Sequence, residues 1–118
     1  TLRPGGAFLS DIPDMLKWEM TMQNHQLLTA KSWNKIFRDT TKTPMTMDNE
    51  PMYYGYGWME NKVNGKLFVH HGGSMPGFRS VYFRYVEDKT AIIILSNAEY
   101  ADVYGIAFGV AELLKQKD

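Results

Sequence analysis

The 118-residue sequence predicts an α+β fold: an antiparallel sheet of about three to four strands, two helices before it, and a closing helix packed on it. Three observations predict this. Asn64-Gly65 separates two strand-like stretches, and a type I′ hairpin turn needs positive φ at both central positions, which Asn and Gly tolerate best. Ala91-Ile92-Ile93-Ile94-Leu95 is apolar throughout, as in a strand covered on both faces. Val103, Ile106, Ala107, Val110, Leu113 and Leu114 recur at helical spacing and form one stripe.

Taken in order, Ser10 is read as the N-cap of a first helix, with Asp11 and Asp14 in the turn where the helix dipole favours acids. Pro13 is tolerated there because first-turn amides have no helical partner. Ile12, Met15, Leu16, Met20 and Met22, with Trp18 beside them, supply its apolar residues, and Asn24-His25 ends it. Thr29 caps a shorter second helix whose apolar face is Trp33, Ile36 and Phe37. Residues 39–51, rich in Thr, Pro and Met without a period, are read as a loop. Strands are expected over 53–61, interrupted by Gly55 and Gly57, then 67–71, 80–86 and 90–96. The Asn64-Gly65 turn sets a register in which paired residue numbers sum to a constant, placing Trp58 opposite His71. The last helix runs over 101–117, with Lys115 and Lys117 in its final turn. The chain thus divides into a helical and loop part, 1–51, and a sheet plus C-terminal helix, 52–118.

Composition narrows the chemistry. Thirteen basic residues balance thirteen acidic ones and no basic block stands out, so no field draws nucleic acid or an anionic membrane. There is no cysteine, which removes disulfides, Cys-ligated zinc and a thiol nucleophile. The longest apolar run is far too short to cross a bilayer. Eight methionines and sixteen aromatics fit a core filled with large, adaptable side chains. The opening Thr1-Leu2-Arg3-Pro4-Gly5-Gly6 reads like the interior of a longer polypeptide.

The stretch Val69-His70-His71-Gly72-Gly73-Ser74-Met75-Pro76-Gly77-Phe78 concentrates the candidate chemistry. Adjacent histidines in a strand point to opposite faces, so His70 and His71 do not share one ion, and His25 is remote. His70 is expected to face solvent. No helix and no Lys-Ser/Thr follow the glycines, against a phosphate loop. Ser32-Trp33-Asn34-Lys35 has the form Ser-x-x-Lys, which would put a hydroxyl and an amine on one helix face. Its apolar neighbours explain that helix without a nucleophile. His71-Gly72-Gly73-Ser74 reads either as a bulge before a Pro-Gly turn or as a bare strand edge where an N–H can meet a developing oxyanion.

Taken together, four stretches resemble the C-terminal part of the serine β-lactamase and penicillin-binding-protein-like family, which includes class C β-lactamases, D-alanyl-D-alanine carboxypeptidases and related esterases. Pro4-Gly5-Gly6-Ala7-Phe8-Leu9-Ser10 with Asp14 and Trp18 is similar to its P-x-G-G-L-x-S helix start. Tyr54-Gly55-Tyr56-Gly57-Trp58 is similar to its Y-G-x-G-W. His71 to Phe78 resembles H-G-G-x-x-P-G-F, and Ile93-Ile94-Leu95-Ser96-Asn97 resembles V-V-L-S-N.

The resemblance implies a serine hydrolase acting on amide or ester bonds through an acyl-enzyme, without a cofactor, on a small-molecule or peptide substrate such as a β-lactam, a D-Ala-D-Ala peptide or an ester. It implies that His71, Gly72, Gly73 and Ser74 line the substrate cleft, that His71 serves catalysis or meets a substrate carboxylate, and that the Ser74 N–H is one of two oxyanion donors. Pro76-Gly77-Phe78 is expected to be a turn and packing element, and Trp58 and Tyr54 core or cleft wall. The family's Ser-x-x-Lys and Tyr-x-Asn motifs would lie before Pro4; no Tyr-x-Asn occurs in the chain, and Ser32-x-x-Lys35 falls in the wrong place. The chain is therefore expected to be one partial domain, 1–118, inactive alone, from an extracytoplasmic parent. An exposed sheet edge would invite dimerisation. The alternatives are a non-catalytic module binding peptide or cell-wall fragments, and a structural domain without a site.

Overall fold

The computed structural model describes Gly6 and residues 8–116. Three helices, α1 (Ile12–Gln23), α2 (Ala30–Ile36) and α3 (Val103–Lys115), accompany six strands. The strands are β1 (Thr41–Met47), β2 (Glu50–Gly55), β3 (Trp58–Val63), β4 (Lys66–Met75), β5 (Phe78–Tyr85) and β6 (Thr90–Ser96). They form one antiparallel meander in the order β1-β2-β3-β4-β5-β6.

Two-residue turns create the meander. Asp48-Asn49, Tyr56-Gly57 and Asn64-Gly65 all carry positive φ at both positions, the requirement of a type I′ hairpin. Pro76-Gly77, with φ 80° at the glycine, closes the Met75–Phe78 pair. The β3–β4 register follows the sum read from Asn64-Gly65, from Val63 opposite Lys66 out to Met59 opposite His70. The ladder stops there: Trp58 pairs with Gly55 of β2 and sets its ring edge-on to Tyr82 at 5.2 Å.

Six strands replace the expected three to four. Residues 39–51 are not a loop but hold β1 and the start of β2. An edge strand exposed at nearly every position shows no apolar alternation, and Pro44 and a register shift between Lys42 and Thr46 break the pattern further. The stretch 53–61 is two strands, because Tyr56-Gly57 is a hairpin turn rather than an interruption.

The core lies between β4–β6 and α3. Phe68, Val81, Phe83 and Ile92 meet Val103, Ala107 and Ala111, all nearly or fully buried. The helix face is thus rotated from the expected stripe: Ile106, Val110, Leu113 and Leu114 are exposed. Small residues at 107 and 111 let α3 approach the bulky Phe68 and Phe83 closely, so alanines mark the contact and leucines face out. α3 is capped by Asp102, whose side chain accepts from the Gly105 N–H at 2.9 Å. Lys117 lies outside the described residues.

On the other face α1 is held by a buried acid rather than by its apolar residues. Its N-cap is Asp11, whose Oδ1 accepts from the Asp14 N–H at 2.9 Å, in place of Ser10. Glu19 and Met22 are buried, whereas Ile12, Leu16, Trp18 and Met20 are exposed. Glu19 accepts from Arg84 Nε at 2.7 Å, Arg84 Nη2 at 3.2 Å, Gln23 Nε2 at 2.8 Å and the Tyr82 hydroxyl. α3 and α1 both pack on β6, as its apolar run predicts, although Leu95 at the far end remains exposed. In α2, Thr29 is the cap as expected and Trp33 is buried, its ring 5.4 Å from that of His25.

Candidate functional site

β4 outruns β3, and that mismatch makes the site. β5 pairs with β4 all the way to Met75, but β3 leaves after Met59–His70. From His71 onward, the β3-side edge of β4 therefore has no strand beside it among the described residues. The direction of each peptide follows from the turns. Val63–Lys66 and Met75–Phe78 close two-residue hairpins, so both are hydrogen-bonded pairs, and such pairs alternate with non-bonded ones along an antiparallel ladder. Leu67 O accepting from Val86 N–H at 3.2 Å fits this phase. Odd-numbered residues of β4 thus bond to β5, and Gly72 and Ser74 direct their N–H and C=O groups toward the open edge.

His71 is exposed on this edge. Its Nδ1 lies 2.7 Å from the Gly72 carbonyl oxygen, which can only accept, so Nδ1 carries the proton. Nε2 is 3.4 Å from the Tyr54 hydroxyl. The Ser74 side chain is engaged separately: its Oγ accepts from Arg79 Nη1 at 2.5 Å, while Arg79 Nε donates to the Glu99 carbonyl at 2.7 Å. Arg79 thereby ties the strand edge to the loop before α3. Gly72, Gly73, Ser74, Arg79, Glu99 and Tyr104 border a cavity of about 310 Å³ that His71 does not line.

His70 does point away from His71, but not into solvent. It is 3% exposed, stacked on Phe68 at 5.1 Å and edge-on to Phe83 at 5.7 Å. The expectation failed because α3 covers the face on which alternation places it. Its Nδ1 is 3.3 Å from the Tyr104 hydroxyl, and its buried Nε2 has no partner among the described residues. Burial, followed by the nearby His71, pushes its pKa down to about 4, so it is neutral at physiological pH.

Packing constrains Gly72 more than Gly73, because the Ser80 hydroxyl can rotate away whereas the Tyr104 ring cannot. A Cβ on Gly72 would stand 2.8 Å from the Tyr104 hydroxyl, and one on Gly73 would collide with Ser80 Oγ. Pro76-Gly77 is the turn expected, with Gly77 N–H donating to Glu99 Oε2 at 3.3 Å, but Phe78 is 62% exposed and packs little. The Ser32-x-x-Lys35 pair has ordinary structural roles: Ser32 Oγ accepts from Thr29 Oγ1 at 3.1 Å, and Lys35 pairs with Asp39 at 3.8 Å. Among the described residues, no group of three His, Asp or Glu side chains could hold a metal ion. The Arg79 and Tyr104 contacts escaped sequence reading, because an arginine and a tyrosine at 79 and 104 belong to no local pattern.

Comparison with known proteins places the chain in a family. A family model described as Beta-lactamase matches residues 1–115. The chain is 26% identical over 96 residues to Penicillin-binding protein 4* of Bacillus subtilis, covering 80% of this chain and 20% of that protein. It is 24% identical over 88 residues to a D-aminopeptidase of Gluconobacter oxydans, covering 75% and 16%. It therefore spans a fifth or less of the length of these curated relatives. The crystal structure of a penicillin binding protein from Bacillus halodurans superposes with a TM-score of 0.68 at 22% identity, over 86% of this chain and 29% of that one, and shares the fold. The family model covers nearly the whole chain, and the chain belongs to the beta-lactamase family.

Proposed function

We propose that this chain is the C-terminal segment of a penicillin-recognising-type serine hydrolase that cleaves amide or ester bonds through an acyl-enzyme, and that residues 1–118 form one partial domain of it. The observation that carries the reading is the open edge of β4. Ser74 N–H points to a side with no strand among the described residues, beside the exposed His71 and the side-chain-free Gly72-Gly73. That is the arrangement an acyl group needs: a bare backbone to lie along, an amide donor for the oxyanion, and an imidazole for a substrate carboxylate or proton traffic. The relatives named for penicillin binding and for D-aminopeptidase action support amide chemistry on small or peptide substrates.

The nucleophile and the second oxyanion donor belong to polypeptide preceding this chain. Loss of one such donor costs about 2.7–4 kcal/mol of transition-state stabilisation, and loss of the nucleophile removes the covalent route. The isolated chain is therefore inactive, and its unpaired outer strands favour self-association. Incubation with a fluorescent penicillin and a fluorophosphonate leaves the 118-residue chain unlabelled, whereas the full-length protein labels at an upstream serine. Labelling at Ser32, or a full-length protein that never labels, overturns the reading; the latter outcome favours a binding module.

A further inference from the structure

We propose that Tyr104, in the first turn of α3, is a positioning residue for the β4 edge: it sets the position of the Gly72 peptide, whose carbonyl in turn holds the His71 imidazole. A chain of contacts with one peptide between its ends carries this. Gly72 presents its bare Cα to α3, and a Cβ there would come within 2.8 Å of the Tyr104 hydroxyl oxygen and 2.9 Å of its Cε2. The Tyr104 ring is itself locked, edge-on to Phe83 at 5.5 Å and to His70 at 5.8 Å, with its hydroxyl 3.3 Å from His70 Nδ1. On the far side, the Gly72 carbonyl receives His71 Nδ1 at 2.7 Å. Tyr104 therefore abuts the peptide that fixes which nitrogen of His71 carries the proton.

A second tie acts in parallel. Asp102 caps α3 and so fixes the turn that bears Tyr104, while Arg79 links the Glu99 carbonyl in the preceding loop to Ser74 Oγ. The start of α3 thus braces the edge at Gly72 and at Ser74. Glycine is required at 72 because tyrosine stands at 104, whatever ligand the open edge receives. The consequence for turnover rests on the hydrolase reading; the contact itself does not.

The test uses the full-length protein with Gly72→Ala, Tyr104→Leu and the double variant. It reads the His71 ring-nitrogen signals by NMR and, separately, kcat/KM. Gly72→Ala shifts His71 away from the Nδ1–H form and lowers kcat/KM by about 100-fold, as expected for a displacement near 1 Å. The double variant, with space restored, recovers the Nδ1–H signature and most of the loss. Tyr104→Leu alone, which opens the space without adding bulk, speeds solvent exchange of the Nδ1 proton, and this decides the matter if Gly72→Ala does not fold. Unchanged exchange in Tyr104→Leu, unchanged His71 signals in a folded Gly72→Ala, or a double variant as perturbed as Gly72→Ala would overturn the proposal. Absence of hydrolysis in the unmodified protein would sink the hydrolase reading and leave the nitrogen signals to decide the role of Tyr104.

Discussion

Glu19→Ala should be the most damaging truncation in α1, although glutamate is the least apolar residue on that helix's inner face. Glu19 and Arg84 are each 5% exposed, and the carboxylate is the only acid within 4.0 Å of that guanidinium among the described residues. Removing it strands a buried cation whose remaining support is the Trp58 ring, 5.9 Å from Cζ, and frees the Tyr82 hydroxyl. Breaking a buried pair by deleting one partner costs about 3–5 kcal/mol. With an unfolding entropy of about 2.1 cal/mol/K per residue, a chain of this length has about 250 cal/mol/K, so the melting temperature should fall by about 12–20 °C. Urea and thermal unfolding of the 118-residue chain, followed by circular dichroism, measure this. The exposed Lys115–Glu112 pair, also 2.7 Å long, is the control: Glu112→Ala should change stability by no more than about 0.5 kcal/mol. Glu19→Met combined with Arg84→Met should be less harmful than Glu19→Ala, since no charge is left buried. A Glu19→Ala variant no less stable than Glu112→Ala would refute the idea that this cluster anchors α1.

Two further buried groups give opposite pH signatures. His70, with its folded pKa near 4, lends stability in full above 6.5 that is lost as the pH falls from 6.5 toward 4, and His70→Phe should flatten that acid limb in urea titrations. Glu60 is 5% exposed, its Oε1 has no partner among the described residues, and burial pushes its carboxyl up to about 7. Its protonated form is favoured on folding, so the benefit is present below 4.5 and lost as the pH rises through 7; Glu60→Gln should raise the melting temperature at pH 8 and leave it unchanged at pH 4. At the β3–β4 turn, a Cβ on Gly65 meets nothing within 4 Å, but φ is 77°, so Gly65→Ala should cost about 1–2 kcal/mol through backbone strain alone, measured as a lower urea midpoint with an unchanged slope.

What was legible in the sequence is what local chemistry dictates. Asn64-Gly65 fixed a turn and, with it, a register that holds across five pairs. Thr90 to Ser96 is a strand with the bounds its composition suggests. The His-Gly-Gly-Ser stretch could be read from its residues either as a bulge before a turn or as a strand edge, because paired glycines suit both places. What was not legible is what a distant partner decides. β1 carries no apolar alternation because most of it is exposed and only Met47, at its end, packs against the core, so a strand made chiefly by its hairpin turn looks like a loop. Glu19 sits at the buried position of α1 because Arg84 and Tyr82, over sixty residues away, supply its partners. Nothing within a helical window separates that glutamate from a solvated one.

The two histidines state the distinction most sharply. Alternation requires His70 and His71 to face apart, and they do. Which of them meets solvent is set by α3, whose docking face could not be read from its leucines because alanines make the contact. The same helix then reaches back to the edge through Tyr104, filling the space that Gly72 leaves. A glycine in a cleft motif is easily assigned to the ligand it admits. Here the nearest heavy atoms to its missing side chain belong to the protein, on the face turned away from His71. Gly72 is thus constrained from the α3 side of β4, where the Tyr104 ring leaves no room for a side chain, whatever the open edge receives.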